Sequence, residues 1–312
     1  MSAVQPALSV VIPVYNSAGM LPTLVARLEP VLREQCSAFE LILINDGSRD
    51  DSWAVIERLC EQHAWIRGID MLRNYGQHNA ILCGIRAARH EWIATMDDDL
   101  QHPPEELPKL LAELPKGLDV VYGPPEREQH GFLRDIASQI TKYALQNAMG
   151  ADTARSVSAF RVFRTELRGA FEEYRNPYVS IDVLLTWGTR KFGSMRVRHD
   201  ARAEGVSNYT YRKLLVHALN MITGFSTFPL QLASWVGFLF ALFGMVVLGY
   251  VLVSYFIRGS SVSGFTFLAS VIAIFSGAQL FALGILGEYL ARMHFRMMDR
   301  PAYAVRRKKG GE

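Results

Sequence analysis

Three consecutive carboxylates, Asp97, Asp98 and Asp99, follow a short apolar run, and Gln101 and His102 come almost directly after them. Hard oxygen ligands at this spacing suit Mg2+ or Mn2+, and such an ion offsets the charge of a diphosphate by bridging its oxygens. Carboxylate clusters also cap helices or face solvent, and His102-Pro-Pro-Glu-Glu reads as a helix start, so the triplet alone leaves both readings open. Two other phosphate-binding devices are absent. No GxGxxG follows the first strand, and no GxxxxGK[ST] occurs anywhere in the chain. The three cysteines, Cys36, Cys60 and Cys83, are far apart and form no CxxC pair. That argues against a zinc site and against an oxidising compartment.

The elements that must position the carboxylates alternate between strand and helix. Leu8–Val14 is a continuous apolar, β-branched run, as expected of a strand covered on both faces. Leu21, Leu24, Val25, Leu28, Val31 and Leu32 then recur at helical spacing. The pattern continues with a strand at Phe39–Ile44, a helix from Ser52, a strand at Ile66–Met71, a helix over His78–Arg89, and strands at Trp92–Met96 and Asp119–Tyr122. This order predicts a parallel α/β sheet with right-handed crossovers, whose ligands bind beyond the carboxyl ends of the strands. The residues at those ends are Pro13-Val-Tyr-Asn, Asn45-Asp-Gly-Ser, Arg73-Asn-Tyr-Gly and Asp97-Asp-Asp. Polar and acidic groups therefore converge on one edge.

Of the 312 residues, 50% are hydrophobic and 20% charged, with a formal net charge of +3. This excludes a disordered, collagen-like or disulfide-scaffold chain, and the charge is too small to imply a nucleic-acid partner. The apolar residues concentrate near the end. Ala233–Ile257 is free of charge, Phe265–Gly287 is a second such run, and each exceeds the roughly 20 residues that cross a bilayer. Summed side-chain transfer favours insertion of the first run by ~4 to 8 kcal/mol. Arg258-Gly-Ser-Ser joins the two as a hairpin, with Arg212 and Lys213 before it and Arg292, Arg296, Arg300 and Arg306 to Lys309 after it. Basic residues on that side place both termini in the cytoplasm. The opening MSAVQPALSV has neither a basic n-region nor a long apolar stretch, so no signal peptide is expected. The expected organisation is a cytoplasmic domain at 1–212, an interfacial helix at 213–232, two transmembrane helices within 233–290, and a basic tail at 291–312. Leu214, Leu215, Ala218, Met221 and Ile222 suit a helix at the membrane surface or an ordinary core helix. Gly244, Gly249, Gly277, Gly284 and Gly287 would permit close helix packing, within one hairpin or between subunits of a homo-oligomer.

Taken together, SVVIPVYN (9–16), LINDGSRDDS (43–52), RNYGQHNAI (73–81) and DDDLQHPPEE (97–106) resemble glycosyltransferase family 2. The resemblance extends through FRVFR (160–164), RAEGVSNYTYRKL (202–214) and GILGEYLARM (284–293), in the order of the branch that glycosylates polyprenyl phosphates. It implies a GT-A (Rossmann-like) glycosyltransferase domain followed by the transmembrane hairpin. It also implies inverting transfer of a sugar from a nucleotide donor, most simply UDP-linked, to undecaprenyl phosphate at the cytoplasmic membrane. A processive polysaccharide synthase of the same fold would carry a QxxRW-type motif and more spans, and this chain has neither. A non-catalytic scaffold or lipid-sugar translocation partner would have no use for an intact Asp-x-Asp.

The resemblance also assigns roles. Pro13, Tyr15 and Asp46 surround the nucleobase and ribose, with Asp46 accepting from uracil; an Asx-turn with Gly47 and Ser48 is its structural alternative. Ser17 stands where the family often has Glu. Asp97, Asp99 and Gln101 match the metal positions, Asp98 lies beside the diphosphate, and Arg73 is either a diphosphate contact or a surface helix-cap residue. The acceptor is a phosphate monoester with a second pKa near ~6, mostly dianionic at neutral pH, so it needs positive charge more than a general base. Arg161 and Arg202 are the expected phosphate clamp, with Ser207 and Lys213 as further candidates. Some relatives carry an Asp just before the FR motif; here that stretch is Arg155-Ser-Val-Ser-Ala, and Asp152 is the nearest carboxylate before it. Either Asp152 takes the role of base or none is required, and the ionisation of the acceptor favours the second. Asn176–Trp187 lies where the family places part of the acceptor and sugar pocket.

Overall fold

A computed structural model describes residues 5–126, 156–176, 178–200, 228–258, 265–298 and 300–311. The chain divides into two units, the first comprising Met1–Leu215 with Asp299–Glu312, the second Val216–Met298.

The first unit opens as the hydrophobic pattern dictates: β1 (Ala7–Val14), α1 (Leu21–Gln35), β2 (Ala38–Asn45), α2 (Ser52–Gln62), β3 (Ile66–Met71), α3 (Gln77–Ala87) and β4 (Trp92–Thr95). After a short α4 (Leu107–Leu111) come β5 (Val120–Tyr122), β6 (Arg161–Arg164), α5 (Ile181–Gly188) and β7 (Phe192–Ser194). Alternate residues of each strand feed opposite faces. Val10, Ile12, Leu41 and Leu43 pack with Leu21, Leu24, Leu28 and Leu32 of α1 on one side. Val11, Ile42 and Ile44 pack with Ile81 and Ile85 of α3 on the other. Both faces are covered, which is why the strands read as unbroken apolar runs.

The eight-stranded sheet has the order β7-β5-β6-β4-β1-β2-β3-β8, where β8 is Val305–Lys309. Strands β4, β1, β2 and β3 are mutually parallel. The expectation of a wholly parallel sheet is corrected at both margins: β6 runs antiparallel to both β4 and β5, and β8 antiparallel to β3. β5 is thereby displaced outward, because β6 occupies the place beside β4. The stretch expected to be a basic tail is also corrected, since its residues 305–309 form the last strand of the sheet. The chain runs outward from β1 to β2 and β3 on one side and reaches β4 on the other. A crevice therefore opens between the carboxyl ends of β1 and β4.

The second unit contains α6 (Phe228–Arg258) and α7 (Phe265–Met297). Both are long and apolar enough to cross a membrane, with mean hydropathies of 2.5 over Pro229–Ser254 and 1.4 over Ile274–His294. Large apolar side chains such as Trp235, Phe238 and Leu280 point outward. α6 takes up residues 228–232, which the sequence assigns to the interfacial segment; the rest of that segment lies outside the described residues. Within the hairpin, the Phe275 ring approaches Gly244 so closely that a Cβ there would stand 3.0 Å from it, and it packs edge-on to Phe240 at 5.7 Å.

Gly84 lets α3 lie against the sheet. A Cβ at this position would stand 2.3 Å from Val11 Cγ1 and 2.7 Å from Ile44 Cδ1. Gly84→Ala is therefore expected to cost about 1–3 kcal/mol, the usual cost of overpacking a filled core. Gly169→Ala meets nothing within 4 Å and serves as the control. Equal melting temperatures for the two variants would contradict this packing.

Candidate active site

Four loops meet at the crevice, and backbone amides join them. After β1, Asn16 turns through a left-handed conformation (φ 54°). Its N–H donates to Ser48 Oγ at 3.0 Å, the Ser17 N–H to Ser52 Oγ at 2.9 Å, and the Ala18 N–H to Asp50 at 3.1 Å. The Tyr15 N–H reaches Asp98 at 3.4 Å. The β1 loop is thus fastened both to the β2 loop and to the carboxylate triplet. Tyr15 is exposed at the edge, whereas Pro13 is buried inside β1, paired in register with Ile44.

Asp46 sits at the end of β2 and is only 3% exposed. Its carboxylate accepts the N–H groups of Tyr75 at 2.7 Å and Gly76 at 2.9 Å, clamping the loop after β3. The Asx-turn alternative for Asp46 is corrected: the Ser48 N–H donates to Asn45 Oδ1, at 3.3 Å. Gly47 is required here. Its φ is +65°, and a Cβ would collide with the Asn74 N at 2.5 Å. Arg73 is exposed and lies over the Tyr75 ring at 4.3 Å. Burial pushes the Asp46 carboxyl up to about 6, against the two amide donors and Arg73, which favour its ionised form.

At the end of β4, Asp97 accepts from Gln77 Nε2 at 2.6 Å, and Asp99 accepts the Gln101 N–H at 3.1 Å. Burial raises the Asp98 carboxyl above its ordinary value, while hydrogen bonds from Ser17 and Tyr15 pull the other way. Leu100 is buried with φ 57°, an uncommon conformation for a non-glycine residue and one found at functional turns. Beside this turn lie two histidines that sequence reasoning missed. The His102 ring stacks on Phe160 at 5.4 Å and meets His199 edge-on at 4.8 Å. His102 Nε2 and His199 Nδ1 are buried without a hydrogen-bond partner among the described residues. Burial, then the neighbouring His199, lower His102 to about 4, so it is neutral at physiological pH. The Asp200 N–H donates to the Gln101 carbonyl at 2.9 Å and holds this segment to the turn. The available signals were the position of His102 just after the carboxylates and that of His199 just before the 202–214 motif.

Among the described residues, no three or more His, Cys, Asp or Glu side chains are grouped to hold an ion. Asp97, Asp99 and Gln101 thus do not form a closed cage. An Asp pair at the crevice and orphaned imidazole nitrogens nearby do fit a cation held by one or two carboxylates together with substrate phosphate oxygens, the usual arrangement for Mg2+.

Arg161 is a correction. It is 1% exposed, its Nε donates to Thr95 Oγ1 at 3.0 Å, and its Nη1 pairs with the buried Asp182 in the first turn of α5. The Tyr122 hydroxyl donates to the same Asp182 at 3.1 Å. A guanidinium committed inward to a buried partner is not presented to an acceptor phosphate. Arg202, Ser207, Lys213 and Asp152 lie outside the described residues.

The mixed sheet, with loops from four parallel strands gathered at one crevice, has the GT-A-like architecture of glycosyltransferases. Structures of Mycobacterium tuberculosis glucosyl-3-phosphoglycerate synthase share it: one with Mn2+, UDP and glucosyl-3-phosphoglycerate superposes with a TM-score of 0.54 at 17% identity, over 70% of this chain and 78% of that one. Residues 9–174 match the family model of Glycosyl transferase family 2, and the chain belongs to that family. Relatives along almost the whole length are undecaprenyl-phosphate 4-deoxy-4-formamido-L-arabinose transferases. That of Pseudomonas aeruginosa is 35% identical over 302 residues, 96% of this chain and 89% of the relative. That of Serratia proteamaculans is 34% identical over 316 residues, 99% and 97% respectively.

The Asp46 clamp has a measurable pH signature. Its carboxyl titrates near about 6 in the fold against an ordinary value of 3.8, so the folded protein holds a proton there that the unfolded chain has lost. The associated stability is present below pH ~4 and disappears as pH rises through ~6, to a total on the order of 3 kcal/mol. Asp46→Asn lacks this titration. The stability of wild type minus that of Asp46→Asn should therefore fall as pH is raised from about 4.5 to 7. A pH-independent difference in melting temperature would refute the shift.

Proposed function

We propose that the protein transfers a sugar, with inversion, from a UDP-linked donor to undecaprenyl phosphate at the cytoplasmic face of the inner membrane. The observation that carries this reading is the gathering of Tyr15, Asp46, Arg73 and Asp97–Asp99 at one crevice, in a chain that also has two helices fit to span a bilayer. Near end-to-end similarity to named undecaprenyl-phosphate transferases supports the acceptor, and makes 4-deoxy-4-formamido-L-arabinose the first sugar to test.

In the reaction, an acceptor phosphate oxygen attacks the anomeric carbon opposite the diphosphate. The new carbon–oxygen bond forms as the bond to the donor's β-phosphate breaks, and UDP departs with the electron pair. The attacking dianion carries no proton to remove, so no base is needed at neutral pH. Tyr15 and Asp46 hold the nucleoside, with Asp46 already anchoring the β3 loop that brings Arg73 toward the diphosphate. Asp97 and Asp99, with Gln101, would hold Mg2+ or Mn2+, which supplies positive charge to the leaving diphosphate. With Arg161 turned inward, the acceptor phosphate falls to Arg202, with Ser207 and Lys213, in the stretch that leads toward the first span. Bringing two anions together in line requires such a clamp.

Purified protein incubated with undecaprenyl phosphate and a panel of nucleotide sugars should yield one lipid-linked monosaccharide. Asp99→Ala should lose on the order of a hundredfold or more in rate while remaining folded. Full activity of that variant, or of the wild type in excess EDTA, would remove the metal from the reading. Absence of lipid-linked product with every donor would favour a scaffold.

Arg202→Ala should raise the KM for undecaprenyl phosphate or lower kcat, leaving UDP affinity nearly unchanged. A surface arginine that merely attracts anionic lipid is worth only about 1 kcal/mol, a loss that added salt would reproduce. Lost UDP affinity with normal acceptor saturation would reassign the residue to the donor.

A further inference from the structure

Strand β8 follows the second candidate span in the sequence, yet it completes the sheet of the first unit beside β3. Its contacts are unlike those of a passive edge. Arg307 Nε donates to Asp70 at 3.1 Å, its guanidinium also faces Glu57 at 3.5 Å, and it covers the Trp53 ring at 4.7 Å. The Asp70 side chain is 5% exposed. Its other oxygen accepts from Asn45 Nδ2 at 2.7 Å. Asn45 Oδ1 in turn accepts the Ser48 N–H, and Ser48 Oγ accepts the Asn16 N–H. An unbroken series of hydrogen bonds thus runs from Arg307 to the β2 and β1 loops. A second connection reaches the β3 loop. The Leu72 N–H donates to the Ala304 carbonyl at 3.0 Å, and Arg306 Nη2 donates to the Leu72 carbonyl at 3.0 Å, one residue before Arg73.

We infer that Arg307 and Arg306 are positioning residues for nucleotide binding: the strand that follows the second span shapes the loops that receive the donor. The inference rests on the donor reading proposed above. The physical argument begins with Asp70. A buried carboxylate must be matched by donors, and the Asn45 amide supplies one neutral hydrogen bond. Arg307 supplies the charge-assisted one. Without it Asp70 has reason to rotate toward water, which frees the Asn45 amide and with it the Ser48 turn beside Asp46. Removal of Arg306 releases the Leu72 carbonyl at the entry to the loop that Asp46 clamps at its other end. Lys309, on the same strand, pairs instead with Glu61 on α2 at 2.8 Å, away from these loops. It separates the effect on the site from any general loosening of the edge.

The test uses the full-length protein in detergent, with UDP and Mn2+ as the probe. Arg307→Ala and Arg306→Ala should each weaken UDP binding on the order of fivefold. Arg307→Lys should restore most of the loss at Asp70, Lys309→Ala should bind as wild type does, and the KM for undecaprenyl phosphate should stay unchanged in all four. Hydrogen exchange in the absence of nucleotide should quicken at 45–48 in Arg307→Ala and at 72–76 in Arg306→Ala. Wild-type exchange at those amides in both alanine variants would overturn the inference whether or not UDP binds. Equal losses of UDP affinity in Lys309→Ala would overturn it too, by showing that the edge acts only through stability. Failure of the wild type itself to bind UDP would count against the donor reading, while the exchange measurement would still decide the wiring.

Discussion

Four carboxylates, Asp46, Asp97, Asp98 and Asp99, share one edge of the sheet, the edge proposed to receive a diphosphate, and the site depends on how their charge is held. The fold answers with short-range donors. Asp46 is matched by the amides of Tyr75 and Gly76, Asp97 by the Gln77 side chain, Asp98 by Tyr15 and Ser17, and Asp99 by the Gln101 amide. Each partner lies on a different loop or turn from its carboxylate, or tightens the turn that carries it. Satisfying the acids with these donors therefore assembles the crevice. Burial works against ionisation at Asp46 and Asp98, and the hydrogen bonds each carboxylate accepts work for it. A cation is the natural complement of the charge that remains.

Much of this edge was legible in the sequence, because the strands that bear it are buried on both sides. Doubly covered strands need continuous apolar runs, and the polar residues that interrupt them mark the carboxyl ends directly. Ile66–Met71 matches the predicted strand to the residue, and β1, β2 and β4 differ only at their ends. The margins were not legible, for electrostatic reasons. β8 reads VRRKK, which resembles a solvated tail, but its cations find Asp70, Glu57 and Glu61 on elements more than two hundred residues earlier. A charged sequence is also what an exposed sheet edge requires to avoid pairing with another chain. β6 begins and ends in arginine, and its place beside β4 depends on pairing across the sheet that no local pattern encodes.

Arg161 shows how a motif can identify an important position and still mislead about its direction. Register sets Arg161 opposite both Thr95 and Tyr122, the last residues of β4 and β5, and its guanidinium meets Asp182 below the surface. Buried ion pairs are weak contributors to stability, since desolvation offsets most of the attraction, yet removing one partner strands a charge. What such a pair enforces is geometry. Here it joins the strand that ends two residues before Asp97 to the first turn of α5, while the Ile181 N–H at the start of α5 reaches His78 Nδ1 at 3.4 Å, next to the Gln77 that holds Asp97. The segment expected near the sugar pocket is thus fixed to the carboxylate turn from two directions.

The two apolar helices carry none of the proposed catalytic residues, so their contribution must be sought in concentration. A polyprenyl phosphate remains in the bilayer, and a soluble catalytic unit would meet it only by encounter at the surface. Tethering makes that encounter effectively intramolecular, and the gain depends on the linker spanning the distance without excess slack. The proposed acceptor residues Arg202, Ser207 and Lys213 lie in the stretch leading to the first span, while the strand after the second returns to the sheet beside β3. On the proposed reading, each end of the hairpin leads, along the chain, toward the residues assigned to a different substrate. On that reading the two apolar helices would act on the reaction through the chain at either end, without supplying a single reacting group.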